Sequence, residues 1–97
     1  MSAFRLTRLA EADIDSIGEH ALETWGAEQA RSYLADLDLA FTDLSTHPHM
    51  GRKRDDLRGA PWVHRCGSHL IFFRRTLSGP VDILRILHDR MDSDRHL

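Results

Sequence analysis

The stretch Cys66-Gly67-Ser68-His69-Leu70-Ile71-Phe72-Phe73-Arg74-Arg75-Thr76-Leu77-Ser78-Gly79-Pro80-Val81-Asp82-Ile83-Leu84-Arg85-Ile86-Leu87-His88-Asp89-Arg90-Met91-Asp92 decides the fold. It holds the densest apolar runs of the chain, broken by Gly67-Ser68 and Ser78-Gly79, the two-residue glycine separators that close β-hairpins. Strands are therefore expected over residues 62–66, 69–76 and 81–88. If both turns are tight, the pairing follows: Arg65 opposite Leu70, Val63 opposite Phe72, and Phe72 opposite Arg85.

Strand alternation divides these residues between two faces. One carries Val63, Arg65, Leu70, Phe72, Arg74, Val81, Ile83, Arg85 and Leu87. The other carries Trp62, His64, Cys66, His69, Ile71, Phe73, Arg75, Asp82, Leu84, Ile86 and His88. Both are substantially apolar, and the face with Ile71, Phe73, Leu84 and Ile86 is the better one for helices to cover. The opposite face gathers Arg65, Arg74 and Arg85 around Phe72, which suits a water-accessible groove better than a core, where unpaired charge is costly. An uncovered apolar face of that kind marks a partner site. The plainer alternative is that the arginines pair with Asp and Glu of the same chain.

Upstream, Phe4-Arg5-Leu6 can form a short strand, and Thr7 offers a hydroxyl to begin a helix. Ala10, Ile14, Ile17, Ala21 and Trp25 then recur every three or four residues, with Glu11, Asp13, Asp15 and Glu19 on the other side. Gly26 breaks this helix. A second stripe, Ala30, Tyr33, Leu34, Leu37, Ala40, Phe41 and Leu44, runs on toward Pro48, which cannot continue a helical ladder. Residues 47–60 lack periodicity and read as a loop made basic by Arg52, Lys53, Arg54 and Arg58, with Asp55 and Asp56 opposing. The whole is α+β: a short N-terminal strand and an antiparallel two-helix hairpin packed on a small, mainly antiparallel sheet of three to four strands.

With 97 residues the chain is expected to be one domain, residues 1–97. Hydrophobic residues at 41% exclude a disordered chain, and a formal net charge of −2 argues against a general nucleic-acid binder. A lone cysteine, no membrane-length apolar run and no signal-peptide core at the N-terminus fit a cytoplasmic setting.

The seven histidines show no metal-ligand spacing, so no metal and no cofactor is expected. Cys66 has no nucleophile motif around it, and there is no glycine-rich phosphate loop or paired carboxylate constellation. One chemistry stays open. Arg85, His88 and Arg90 could cleave RNA by general acid/base catalysis, with arginines stabilising a pentacoordinate phosphate and histidine moving protons.

The order of several pieces resembles the ParE toxins of the ParE/RelE toxin–antitoxin superfamily, almost end to end. The resemblance rests on Leu6-Thr7 with Ala10 and Asp13-Ile14, on Trp25-Gly26 with Gln29-Ala30, and on Pro48 with Gly51-Arg52 and Leu57-Arg58. It continues through Gly67-Ser68-His69 with Phe73-Arg74 and, above all, Arg85-Ile86-Leu87-His88-x-Arg90-Met91-Asp92. It implies a toxin neutralised by a ParD-like antitoxin, a ribbon-helix-helix protein whose flexible C-terminal segment folds over the toxin. The ParE branch poisons DNA gyrase so that its cleaved-DNA intermediate persists. DNA is then met only indirectly, through the antitoxin or gyrase, and no membrane is involved. The RelE branch instead cleaves messenger RNA in the ribosome, commonly with a tyrosine near the C-terminus.

Here the only tyrosine is Tyr33, and none follows His88. The acidic tail from Asp89 onward also suits ribosomal RNA poorly. Both departures favour a gyrase inhibitor acting by binding rather than by catalysis. A ribosome-dependent endoribonuclease using Arg85, His88 and Arg90 is the alternative, and an inactive antitoxin-binding module is a third. The antitoxin is expected to contact Arg65, Phe72, Arg74 and Arg85, and the target to contact His88, Arg90, Met91 and Asp92.

Overall fold

The computed structural model describes residues 4–47, 49–76 and 79–97. In chain order the elements are β1 (Phe4–Leu6), α1 (Arg8–Trp25), α2 (Ala27–Thr46), β2 (Arg52–Lys53), β3 (Trp62–Cys66), β4 (His69–Arg74), β5 (Val81–His88) and a short α3 (Ser93–His96). The strands form one five-stranded sheet in the order β1-β5-β4-β3-β2. β1 runs parallel to β5, and every other pairing is antiparallel. The architecture is the expected α+β one, with one strand more: Arg52–Lys53, inside the basic loop, pairs with Val63 and Trp62.

Thr7 starts α1 as foreseen. Its hydroxyl accepts the Ala10 N–H at 3.1 Å and donates to the Leu84 carbonyl at 2.7 Å, so one group caps the helix and fastens it to β5. Gly26, at φ 93°, separates the two helices. Ala10 and Ile17 of α1, with Leu37, Ala40, Phe41 and Leu44 of α2, share one core with the sheet, Ala21 and Ala30 are also buried, and Trp25 is 47% exposed. Pro48 and Ser78, expected to mark a helix end and a turn, lie outside the described residues.

The Gly67-Ser68 turn is tight. Gly67 takes φ 59° at the first central position while Ser68 stays at negative φ, the type II′ pattern that matches strand twist. The resulting pairs, Arg65 with Leu70, Val63 with Phe72 and Phe72 with Arg85, are those expected. Beyond Phe72 the register shifts: Phe73 faces Ile83 and Arg74 faces Asp82, leaving Leu84 as a bulge residue.

That one extra residue corrects the face assignment. Val81 and Ile83 join Ile71, Phe73 and Ile86 under the helices. Leu84 crosses to the opposite side, where it packs with Phe72 and Leu87. Nor is that second face open. Leu57 from the basic loop and Leu97 after α3 cover it, and Phe72 is 0% exposed. The expected exposed patch is thus a second small core, with side chains such as Phe72 each stabilised by about 1.5–3 kcal/mol of burial.

Candidate functional site: an arginine groove and an aromatic pocket

On the second face a groove of about 390 Å³ runs between the start of α1, the strands β4 and β5, and the C-terminal segment. Leu9, Leu84 and Leu97 supply its apolar lining, and Arg58, Arg74 and Arg85 its charge. Leu9 is 58% exposed, off the buried stripe of its helix. No Asp or Glu side chain lines this groove among the described residues.

Arg85 is the fixed member. Its Nε and Nη2 donate to the two Asp13 carboxylate oxygens at 2.8 and 2.9 Å, and its Nη1 donates to the His96 carbonyl at 2.9 Å. The side chains of Arg85 and Asp13 are only 16% and 14% exposed. Its hydrogen bonds to Asp13 hold the guanidinium above its already high ordinary value, so it stays charged. Asp13 Oδ2 also accepts the Ile86 N–H at 2.9 Å, satisfying the edge of β5 where β1 has ended.

The three arginines of the expected groove are not brought together. Arg74 is exposed and lines the groove beside Arg85. Arg65 stands at the other end of β3, where Nη1 donates to Asp89 Oδ2 at 3.0 Å and, more weakly, to the Gly67 carbonyl at 3.3 Å. Arg65 holds Asp89 below the usual carboxylate range. Phe72 is the floor beneath the covering leucines rather than a surface ring. Arg58, missed in the sequence, was visible only as one basic residue of a loop.

The second site lies toward the opposite side of the sheet, at the far ends of α1 and β5. A pocket of about 180 Å³ is lined by His20, Trp25, Tyr33, His69 and His88 over Ile17 and Ala21. His69 and His88 are cross-strand partners, with ring centroids 5.3 Å apart and nearly perpendicular planes. Tyr33 stacks at a tilt between Trp25, 6.1 Å away, and His69, 5.5 Å away.

Tyr33 ties α2 to the β3–β4 hairpin. Its Oη accepts the Ser68 N–H at 3.2 Å, lies 2.6 Å from His69 Nδ1 and 3.1 Å from the Cys66 carbonyl. With one hydroxyl proton to give, Tyr33 donates to the Cys66 carbonyl when His69 Nδ1 carries hydrogen, and to His69 when it does not. A Cβ on Gly67 would sit 2.7 Å from the Tyr33 ring and hydroxyl, so glycine there serves both the turn and this approach. Burial, and next the charge of His88, push the His69 imidazole down. Burial, and then Asp36, push the Cys66 thiol up, which keeps it protonated and unreactive.

His88 therefore faces the pocket, whereas Arg85 faces the groove. Arg90 donates its backbone N–H to His88 Nδ1 at 3.1 Å, Asp92 caps α3 through Asp94 N–H, and Met91 is exposed. The set Arg85, His88 and Arg90 is thus split, with its first member held in an ion pair on the other face. No group of three or more His, Cys, Asp or Glu residues is placed to hold a metal among the described residues.

A helical hairpin on a mixed sheet whose last strand is inserted beside the first, with a basic groove on the far face, defines a small α+β fold. Residues 4–93 match the family described as the ParE toxin of type II toxin–antitoxin system, parDE, and the chain belongs to that family. It is 36% identical over 96 residues to Toxin ParE1 of Mycobacterium tuberculosis, covering 99% of this chain and 98% of that one. It is 37% identical over 99 residues to Toxin ParE1 of Caulobacter vibrioides, covering 100% and 99%. Among solved structures, a chain of the chromosomal ParDE TA system from P. aeruginosa superposes with TM-score 0.75 at 25% identity, covering 91% of this chain and 96% of that one.

Proposed function

We propose that this ParE toxin, working as one domain in the cytoplasm, inhibits DNA gyrase by binding it and prolonging its cleaved-DNA complex, and that a ParD-like antitoxin neutralises it. The observation that carries the choice of binding over catalysis is the division of Arg85 from His88. A general acid/base site needs its phosphate-stabilising cation and its proton carrier on one substrate, and here they open onto different cavities.

The groove supports the antitoxin half of the reading. An acidic, amphipathic segment would lay apolar residues against Leu9, Leu84 and Leu97 and meet Arg58 and Arg74 at the rim. Arg85 contributes field rather than a free hand, because Asp13 and His96 already hold it. Half-buried His88 at the end of β5, with Arg90, Met91 and Asp92 of the exposed turn after it, is the surface offered to the target.

The test is a supercoiling assay with purified, antitoxin-free protein: inhibition with accumulation of cleaved DNA is expected, and a folded sample that leaves gyrase untouched sinks the reading. Arg58→Glu with Arg74→Glu should slow antitoxin association about tenfold or more at low salt, as rim charges act mainly on encounter. Ribosome-dependent cuts in messenger RNA that vanish in His88→Ala would establish the alternative.

A further inference from the structure

We infer that the pocket framed by Trp25, Tyr33, His69 and His88 receives an arginine or lysine side chain presented by the protein this toxin poisons. The inference rests on the target reading above and deepens it, by naming what the target places against the His88 end of the toxin.

The pocket's walls are π-faces. Trp25, half exposed, and Tyr33 meet at 6.1 Å, and the His69 and His88 rings continue the wall. Such faces attract a cation that comes within about 6 Å of a ring centroid. The chain already uses this kind of contact, with the Arg75 guanidinium 3.3 Å above the Trp62 ring. In the pocket the rings stand ready and no arginine or lysine among the described residues lines it.

Charge points the same way. The carboxylates whose charge reaches Tyr33 and His69 are Asp13, Asp36 and Asp89. Asp13 and Asp89 are answered by Arg85 and Arg65, while Asp36 has no ion pair among the described residues. Burial keeps His69 neutral, so it presents an uncharged ring rather than a repelling cation. An anionic occupant, a phosphate or an acidic peptide, is disfavoured here and favoured in the arginine groove across the sheet.

Size narrows the occupant further. At about 180 Å³ the pocket is smaller than the sites that enclose a drug-sized ligand, and suits one side chain rather than a helix. A guanidinium or ammonium group would stack on Trp25, with its stem over Ile17 and Ala21. It would find one acceptor: His69 Nε2 when Nδ1 carries the hydrogen toward Tyr33, or the remaining lone pair of the Tyr33 hydroxyl when it does not.

The first experiment tests the pocket alone. Blocked arginine, N-acetyl-arginine methylamide, is titrated into the purified chain while the Trp25 indole and the His69 and His88 imidazoles are followed by NMR. Saturable shifts are expected that blocked leucine and blocked glutamate do not produce, and that Trp25→Ala abolishes at the histidines. No saturable shift, or an equal response to blocked leucine, overturns the inference. The second experiment tests the partner. Trp25→Ala, at an exposed position, should lose about tenfold in gyrase inhibition, the scale of a desolvated cation–π contact, with antitoxin affinity unchanged. Unchanged inhibition, or a parallel loss of antitoxin affinity, overturns the assignment to the target. If the unaltered toxin does not inhibit gyrase, the target reading fails while the arginine titration still decides the pocket.

Discussion

The arginine groove and the aromatic pocket are built on the same strand, a few residues apart, and their chemistries are opposite. At the groove, β5 offers Leu84 and Arg85, and the guanidinium is held by a carboxylate from the start of the chain. At the pocket it offers His88, and aromatic rings face one another around a tyrosine hydroxyl. A charge can be concentrated on one side because an ion pair with little exposure fixes it there. The other side stays receptive because no side chain among the described residues fills it. The groove is thus stabilised through electrostatic pairing and the pocket through close approach.

The largest expected effect attacks the groove. Asp13→Ala leaves Arg85 without its counter-charge and the Ile86 N–H without its acceptor, and should lower stability by about 3 kcal/mol in urea unfolding. Arg65→Ala, which removes an exposed pair with Asp89, should leave the midpoint unmoved. Equal effects from the two would mean that burial of the ion pair does not distinguish them.

A smaller effect belongs to the pocket. Gly67→Ala should cost about 1–2 kcal/mol for a side chain at positive φ, with a further loss from the Tyr33 contact. Adding Tyr33→Ala to it should cost less than the sum of the two single changes, since the clash disappears. Strict additivity in such a cycle would show that Gly67 answers only to the turn.

The smallest is a pH effect. The fold lowers the His69 value from its ordinary 6.5, so the native state favours the neutral ring. Its contribution is fully present above pH 6.5 and is lost as pH falls through the lower folded value. Stability should therefore decline modestly between neutral and mildly acid pH, and His69→Gln should flatten that decline. A decline of the same size in the variant would assign it to another group.

The antiparallel core was legible because glycine turns fix pairing: Arg65, Val63 and Phe72 sit opposite the residues that alternation demands. The same alternation placed His69 and His88 on the helix side. The Leu84 bulge was not legible, since it depends on Thr7 and Asp13 docking along β5, contacts made between residues far apart in sequence. Without the bulge, Val81 and Ile83 go to the wrong face. The cover over Phe72 was missed because Leu57 and Leu97 belong to segments without periodicity. Tyr33 was read as a stripe residue, which it is, but the reach of its hydroxyl to His69 is set by how the hairpin sits on the sheet.

The sheet order has a consequence for synthesis. β5 is the last strand to be made, yet it lies between β1 and β4 and packs against α1 as well. A growing chain that has not reached residue 88 lacks the strand that joins its first element to the rest, and the contacts with β1 span nearly the whole sequence. The sheet accordingly cannot close until β5 has been made, whatever the order in which the helices and the β3–β4 hairpin form.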